Sequence, residues 1–200
     1  MRRLPRRFYC RKTRIVAREL LSKILVHETD EGIISGRIVE TEAYLGRDDP
    51  GSHAHCGVTS RNRIMFGPPG RAYIYLVYGS SYCLNVVTEK DGVGGAVLIR
   101  ALEPEEGIGL MEKNRRIDGH LTLLTNGPGK LTQALGIRGS MNGADLTGNK
   151  LYILSRDSSG KKQSWPKEFK IVTTSRIGIK TSRNLLYRYY IRGNRFVSRS

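Results

Sequence analysis

The sequence predicts an α+β fold, one domain over residues 1–200 built on a curved, mainly antiparallel β-sheet flanked by helices. Short apolar runs with a two-residue period recur along the chain, separated by Gly, Pro and Asp turns. Helix-period runs are few and lie before and between them, instead of alternating regularly with the strands as in a parallel α/β fold. The 200 residues contain no internal repeat and no linker. That length fits one domain, burying roughly 70% of the unfolded chain's surface.

The first twelve residues carry five arginines and a lysine. They read either as a loose basic arm against a phosphate backbone or as a solvated tail. Thr13 is placed to cap a helix in which Val16, Ala17, Leu20, Leu21 and Ile24 share a face. Strands are predicted at 25–27 and 33–44, joined by a turn at Thr29-Asp-Glu-Gly32. A loop-like stretch over 45–70 contains turns at Asp49-Pro-Gly51 and Gly67-Pro-Pro-Gly70. Strands at 72–78 and 82–88 flank Gly79-Ser-Ser81, and a further strand spans 96–102. Helices are predicted at 105–116, after Pro104, and at 130–135, where Gly127-Pro-Gly-Lys130 reads as a helix-start turn. A polar surface loop at 157–164 separates strands at 151–154, 169–173 and 187–197.

The chain holds 34 Lys plus Arg against 18 Asp plus Glu, a net charge of +16. A domain this basic meets a polyanion, and nucleic acid is the commonest one. Its three cysteines, Cys10, Cys56 and Cys83, form no Cys-x-x-Cys pair, which predicts a reducing compartment without a disulfide framework. The basic N-terminus lacks the apolar core of a signal peptide, and no apolar run reaches membrane-spanning length. A cytoplasmic, nucleoid-associated protein is expected. His53, His55 and Cys56 supply metal-ligand chemistry but too few ligands for a closed site, so no metal is expected.

The chemistry gathers between Gly36 and Asn85. As a strand, residues 38–44 put Ile38, Glu40, Glu42 and Tyr44 on one face and Val39, Thr41 and Ala43 on the other. A carboxylate on an otherwise apolar strand face is costly to bury without a partner, which points to Glu42 as a catalytic base. Tyrosines nearby suit the gripping of a planar ring. Tyr73 and Tyr75 share one face of their strand and Tyr78 the other; Tyr73 reads as a core residue. Glu40 and Glu42, two apart on one face, resemble the acid and base of an inverting carbohydrase. A carbohydrase has no use for +16, and the plainer expectation is that Glu40 pairs locally with an arginine at an exposed site, worth ~1 kcal/mol or less.

These stretches carry a family resemblance. Val39-Glu-Thr-Glu-Ala-Tyr-Leu-Gly46, Ser52-His53, Arg61-Asn-Arg-Ile-Met-Phe66, Tyr73-Ile-Tyr-Leu-Val-Tyr-Gly79, Cys83-Leu-Asn85 and Val97-Leu-Ile-Arg-Ala-Leu-Glu-Pro104 resemble, in order, the alkyladenine (3-methyladenine) DNA glycosylases. Gly127-Pro-Gly-Lys-Leu-Thr-Gln-Ala-Leu135 and Tyr190-Ile-Arg-Gly-Asn-Arg-Phe-Val-Ser198 extend the match over almost the whole chain. The resemblance implies a monomeric, cofactor-free enzyme that flips a damaged purine out of duplex DNA. Glu42 then activates the attacking water, with Arg100 keeping its carboxylate ionised. Tyr44 and His53 stack the base against Tyr75, Asn85 crowds the guanine amine, and Tyr78 fills the gap left in the duplex. No lysine falls among the matched pocket positions, so hydrolysis without a Schiff-base strand cut is implied. Ser80-Ser81 and His55-Cys56 depart from the family pattern and bear on lesion preference. Charge and aromatics alone also fit a non-enzymatic nucleic-acid-binding module, which base release distinguishes.

Overall fold

The structure is a computed structural model that describes residues 2–77, 79–155 and 169–198. The expected intercalator Tyr78 and the polar loop at 157–164 lie outside the described residues. Two long strands, β2 (Gly32–Tyr44) and β5 (Gly95–Glu106), run antiparallel at the centre of an eight-stranded sheet. β4 (Ser81–Thr88) and β3 (Ala72–Val77) continue it beyond β5, while β1 (Ile24–Thr29) and β6 (Leu151–Leu154) continue it beyond β2. Near its end β2 changes neighbour: β1 pairs with residues 32–37, and β8 (Arg188–Ile191) pairs with Glu40, Thr41 and Glu42. β7 (Ile171–Thr174) adds to β8. The strand pairings are antiparallel throughout, so the predicted α+β class and curved sheet describe the molecule.

Two irregularities in the β2–β5 ladder shape the site. Ile38 pairs with Leu102 but Glu40 with Ala101, which makes Val39 an extra residue; Thr41 then pairs with Ile99, which makes Arg100 one. Such bulges bend a strand and re-aim its side chains. The first overturns the expected grouping of Ile38 with the glutamates: Ile38 joins Val39 and Ala43 in the main core. Thr41 turns the same way, its hydroxyl donating to the Ala17 carbonyl at 2.8 Å. Glu40 and Glu42 are left on the opposite face.

The helix α2 (Thr13–Leu20) covers that core face with Val16, Ala17 and Leu20. Thr13 is its first residue instead of its cap, and the carboxylate of Glu89 accepts both the Thr13 N–H at 2.6 Å and its hydroxyl at 2.9 Å. The helix stops before Ser22, whose φ of 69° is left-handed, so Ile24 lies in β1 instead of on the helix face. Residues 2–12 are docked instead of loose. Leu4 N–H donates to the Ile153 carbonyl, Arg6 pairs with Asp145 at 2.5 Å, and Tyr9 of the short helix α1 (Arg6–Tyr9) is buried. A side chain at Gly70, whose φ is +80°, would meet the Tyr9 ring at 2.8 Å.

β5 continues through Pro104 to Glu106 because β2 offers it partners, Arg37 for Glu103 and Gly36 for Pro104. The helix expected from 105 therefore starts later, as α3 (Ile108–Arg115), after the left-handed Gly107. α4 (Leu121–Thr125) was not anticipated; Thr125 pins it to the Leu102 carbonyl at 2.6 Å. α5 (Pro128–Ala134) begins at Pro128 itself, as a proline in a first helical turn allows. At the C-terminal end, β7 and β8 are shorter than the predicted strands at 169–173 and 187–197 imply.

Candidate active site

A cavity of about 570 Å³ opens on the Glu40/Glu42 side of β2. Tyr44, His53, Tyr75, Asn85 and Arg100, drawn from five separate stretches of sequence, all line it. β3 and β4 supply Tyr73, Tyr75, Cys83 and Asn85, the loop after β2 supplies His53 and Arg61, and residues 177–181 close the remaining side.

Glu42 lies beneath this wall, with no surface exposed. Its Oε1 accepts the Ile177 N–H at 2.7 Å, its Oε2 accepts the Tyr44 hydroxyl at 2.8 Å, and Arg100 Nη1 stands 3.3 Å from Oε2. Burial pushes its carboxyl above the ordinary carboxylate range, against the pull of Arg100, the Ile177 N–H and the Tyr44 hydroxyl. Arg100 thus favours the ionised form, as expected of it, but desolvation outweighs it. The result is a carboxylate more basic than an exposed one and held by three donors, a suitable state for a proton acceptor.

Glu40 is a different case. Its Oε1 accepts Arg100 Nε at 2.9 Å, Arg188 Nε at 2.7 Å and the Ser198 hydroxyl at 3.0 Å, while Oε2 accepts the Ser198 N–H at 2.7 Å. The arginine partner is the one expected, but the site is not exposed as expected: Glu40 is as buried as Glu42. With its lone pairs engaged it anchors Arg100 and ties the C-terminal segment to the site. The bulge at Arg100 lets one guanidinium reach both carboxylates.

The aromatic wall is tightly linked. His53 Nδ1 lies 3.0 Å from the Tyr73 hydroxyl, and its ring meets Tyr75 edge-on, centroids 4.7 Å apart at 63°. Burial, with Arg61 adding to it, lowers the His53 pKa and keeps the ring neutral. Tyr73 is buried in a small cluster with Ala54, Met65, Val87 and Ala96, as its core assignment expects, while its hydroxyl holds His53. Tyr44 points its hydroxyl at Glu42 and lies under Arg176, whose Cζ is 4.7 Å from the ring centroid. Burial raises the pKa of both Tyr44 and Tyr75. Asn85 is buried, its Nδ2 donating to the Tyr73 carbonyl at 3.0 Å. Cys83, paired across the strands with Tyr75, has its thiol pushed up to about 11 by burial, so it stays protonated.

Several contributors escaped the sequence reading. Asp49, read only as a turn residue, makes a fully buried two-pronged pair with Arg176 at 2.5 and 2.7 Å. Arg176 also donates to the Ala43 carbonyl, and the next residue, Ile177, points its N–H at Glu42. Lys180, which is not among the matched pocket positions, also lines the cavity, and its side chain is exposed. Spacing gave no signal for these, because their partners lie more than a hundred residues away. His55 is exposed, with Nδ1 2.5 Å from the Arg47 carbonyl, and no cluster of three or more His, Cys, Asp or Glu suited to a metal occurs among the described residues.

The model of the methylpurine-DNA glycosylase family matches residues 7–195. The chain belongs to that family. Membership places it among the DNA glycosylases, hydrolases of base excision repair. A protein of Methanoculleus marisnigri is 48% identical over 98% of both chains, one of Carboxydothermus hydrogenoformans 46% over the same shares, and one of Legionella pneumophila 45% over the full length of both. Each carries the name "Putative 3-methyladenine DNA glycosylase". No helix among the described residues is long and apolar enough to cross a membrane.

Proposed function

We propose that this glycosylase flips alkylated or deaminated purines out of duplex DNA and hydrolyses their N-glycosidic bond with a water deprotonated by Glu42. The observation that carries this reading is Glu42 itself: a buried carboxylate of raised pKa, fixed by the Ile177 N–H, the Tyr44 hydroxyl and Arg100 at the wall of an aromatic cavity. Because Glu42 is wholly covered, the water enters from the side of Tyr44 and Arg100, replacing one present contact. The flipped base stacks between Tyr44 with His53 and Tyr75. Two face contacts of roughly 3.5–4 Å require the rings to stand about 7 Å apart, so His53 and Tyr75 must separate from their 4.7 Å contact. Asn85 excludes the guanine amine, and Tyr78 fills the vacated position in the duplex.

The product is an uncut abasic strand. A lysine nucleophile needs a desolvated amine, and Lys180 is exposed. The enzyme acts as a cofactor-free monomer in the cytoplasm, associated with the nucleoid. Duplexes carrying 3-methyladenine, hypoxanthine, ethenoadenine or intact adenine, incubated with the protein and then cleaved with and without alkali, test the reading. Breaks that require alkali, at damaged bases only, are expected. Absence of base release from all four favours a binding module.

A further inference from the structure

Asp49 and Arg176 pair with neither side chain exposed, and neither lines the cavity. Their bonds nevertheless gather three pieces of chain around it. Arg176 donates to both Asp49 oxygens and, at 3.0 Å, to the Ala43 carbonyl at the end of β2. The same carboxylate accepts the Leu45 N–H at 3.0 Å and the Gly51 N–H at 3.1 Å, which fixes the loop after β2. Segment 176–181 is the third piece, and its Thr181 hydroxyl adds a bond to the Pro50 carbonyl at 3.1 Å. Both neutral donors to Glu42 hang on this clip. Ile177, whose N–H reaches Oε1, is the residue after Arg176; Tyr44, whose hydroxyl reaches Oε2, carries the ring under the guanidinium.

We propose that Asp49 and Arg176 are positioning residues for the catalytic base, holding the Ile177 N–H and the Tyr44 hydroxyl on Glu42. The inference rests on the reading of Glu42 as that base. Neither residue touches the substrate; they act through the two donors. Without the fork, segment 176–181 loses its tie to the β2 loop, and the Tyr44 ring loses the guanidinium packed on it. A base whose two oxygens are no longer held in place meets its water in the wrong geometry.

The sign of a pH shift separates this role from electrostatics. The charged and titratable groups facing Glu42 are Arg100 of β5, Glu40 and Tyr44 of β2, Cys83 of β4, Arg188 of β8 and Arg176 itself. Both neutral donors draw the Glu42 carboxyl down, against its burial, so losing them moves it further up. Charge alone acts the other way. Asp49→Asn deletes an anion and leaves Arg176 uncompensated within reach of Glu42, which pulls the carboxyl down. A pair that only stabilises the fold therefore leaves the acidic limb of excision in place or lowers it.

The test is the pH dependence of kcat/KM, which reports the free enzyme's groups, for excision of 3-methyladenine from duplex DNA. That base is already cationic and leaves without an added proton, so the acidic limb reports the base. Wild type, Asp49→Asn, Arg176→Lys and Glu42→Gln are compared, each below its own melting temperature. Asp49→Asn is expected to move the limb to higher pH by about one pH unit, the worth of one hydrogen bond to a charged group. Its plateau should fall by up to about a hundredfold. Arg176→Lys keeps the charge but cannot fork across Asp49 and reach the Ala43 carbonyl as well. It should move the limb the same way by less, and it decides the matter if Asp49→Asn does not fold. A limb that stays or moves down in a folded variant overturns the proposal; with Glu42→Gln strongly impaired, it leaves the glycosylase reading intact. Full excision by Glu42→Gln overturns both.

Discussion

Replacing each of the two glutamates of β2 by glutamine separates catalysis from architecture. Glu40 accepts four hydrogen bonds and carries contacts to two buried guanidinium groups, Arg100 and Arg188. Glu40→Gln removes the charge that holds them, and breaking a buried pair by removing one partner costs about 3–5 kcal/mol. For a chain of this length each kcal/mol shifts the melting temperature by roughly 2–4 °C, so a fall on the order of 6–20 °C is expected. Glu42→Gln keeps an oxygen for the Ile177 N–H, and Arg100 retains Glu40, so its melting temperature should fall by a few degrees at most. Its single-turnover excision should fall by about two to four powers of ten, the usual worth of a general base. Lesion affinity should survive, since a base acts in the transition state. Differential scanning fluorimetry and single-turnover excision of ethenoadenine, run below the melting point of both variants, measure the two effects. A Glu40→Gln protein as stable as wild type would refute the buried-pair account. Equal excision loss in both folded variants would reinstate a two-carboxylate mechanism, and full excision by Glu42→Gln would remove the base.

Four further outcomes are expected. The raised Glu42 pKa places the acidic limb of excision of a cationic lesion above the ordinary value of 4.5, with the rate rising as the carboxylate ionises; in stability the sign is opposite, because a folded-state pKa above the unfolded one contributes stability at low pH that is lost as pH rises through that window, and Glu42→Gln should remove this loss. Asn85→Ser should admit guanine-like bases, read as excision from guanine-containing mismatches, and unchanged discrimination would move selectivity elsewhere. Tyr78→Ser should weaken damaged-duplex affinity and the fluorescence of flipped ethenoadenine at an unchanged melting temperature, whereas a lowered melting temperature with normal flipping would make Tyr78 a core residue. Asp49→Asn should cost about 3–5 kcal/mol in chemical denaturation, because Arg176 would be left buried with a neutral partner.

The parts of the site legible in sequence are those carried by strand pairing. Glu42, Tyr44, Tyr73 and Tyr75 sit on strands whose two-residue period announces their faces, and the order of family motifs brings His53, Asn85 and Arg100 to the same cavity. What periodicity cannot carry is a break in periodicity. The extra residue at Val39 returned Ile38 to the core, and a one-residue slip of this kind leaves no mark in a pattern of apolar residues. Long-range polar partners were equally silent: Asp49 in an Asp-Pro-Gly turn looks like any turn aspartate until Arg176 is beside it. The N-terminal arginines suggested an arm by composition, yet Leu4, Arg6 and Tyr9 dock the segment against Ile153, Asp145 and Gly70.

The same breaks in regularity are what make the site possible. In an unbroken antiparallel ladder a long arginine on β5 would meet its cross-strand neighbour on β2 and little else. With an extra residue on each strand, Arg100 Nε reaches Glu40 while Nη1 reaches Glu42. At the same three residues of β2 the neighbouring strand changes to β8, which brings Arg188 to Glu40. Glu40 therefore absorbs two guanidinium contacts and fixes Arg100, while burial gives Glu42 a raised basicity. A design that straightened the bulge by deleting Val39 would leave Ile38 opposite the glutamates but remove a buried core side chain and the bend that aims the glutamates. It would cost the core its packing and separate Arg100 from one of its two carboxylates, so loss of stability and loss of excision should appear together in that variant, unlike in Glu42→Gln.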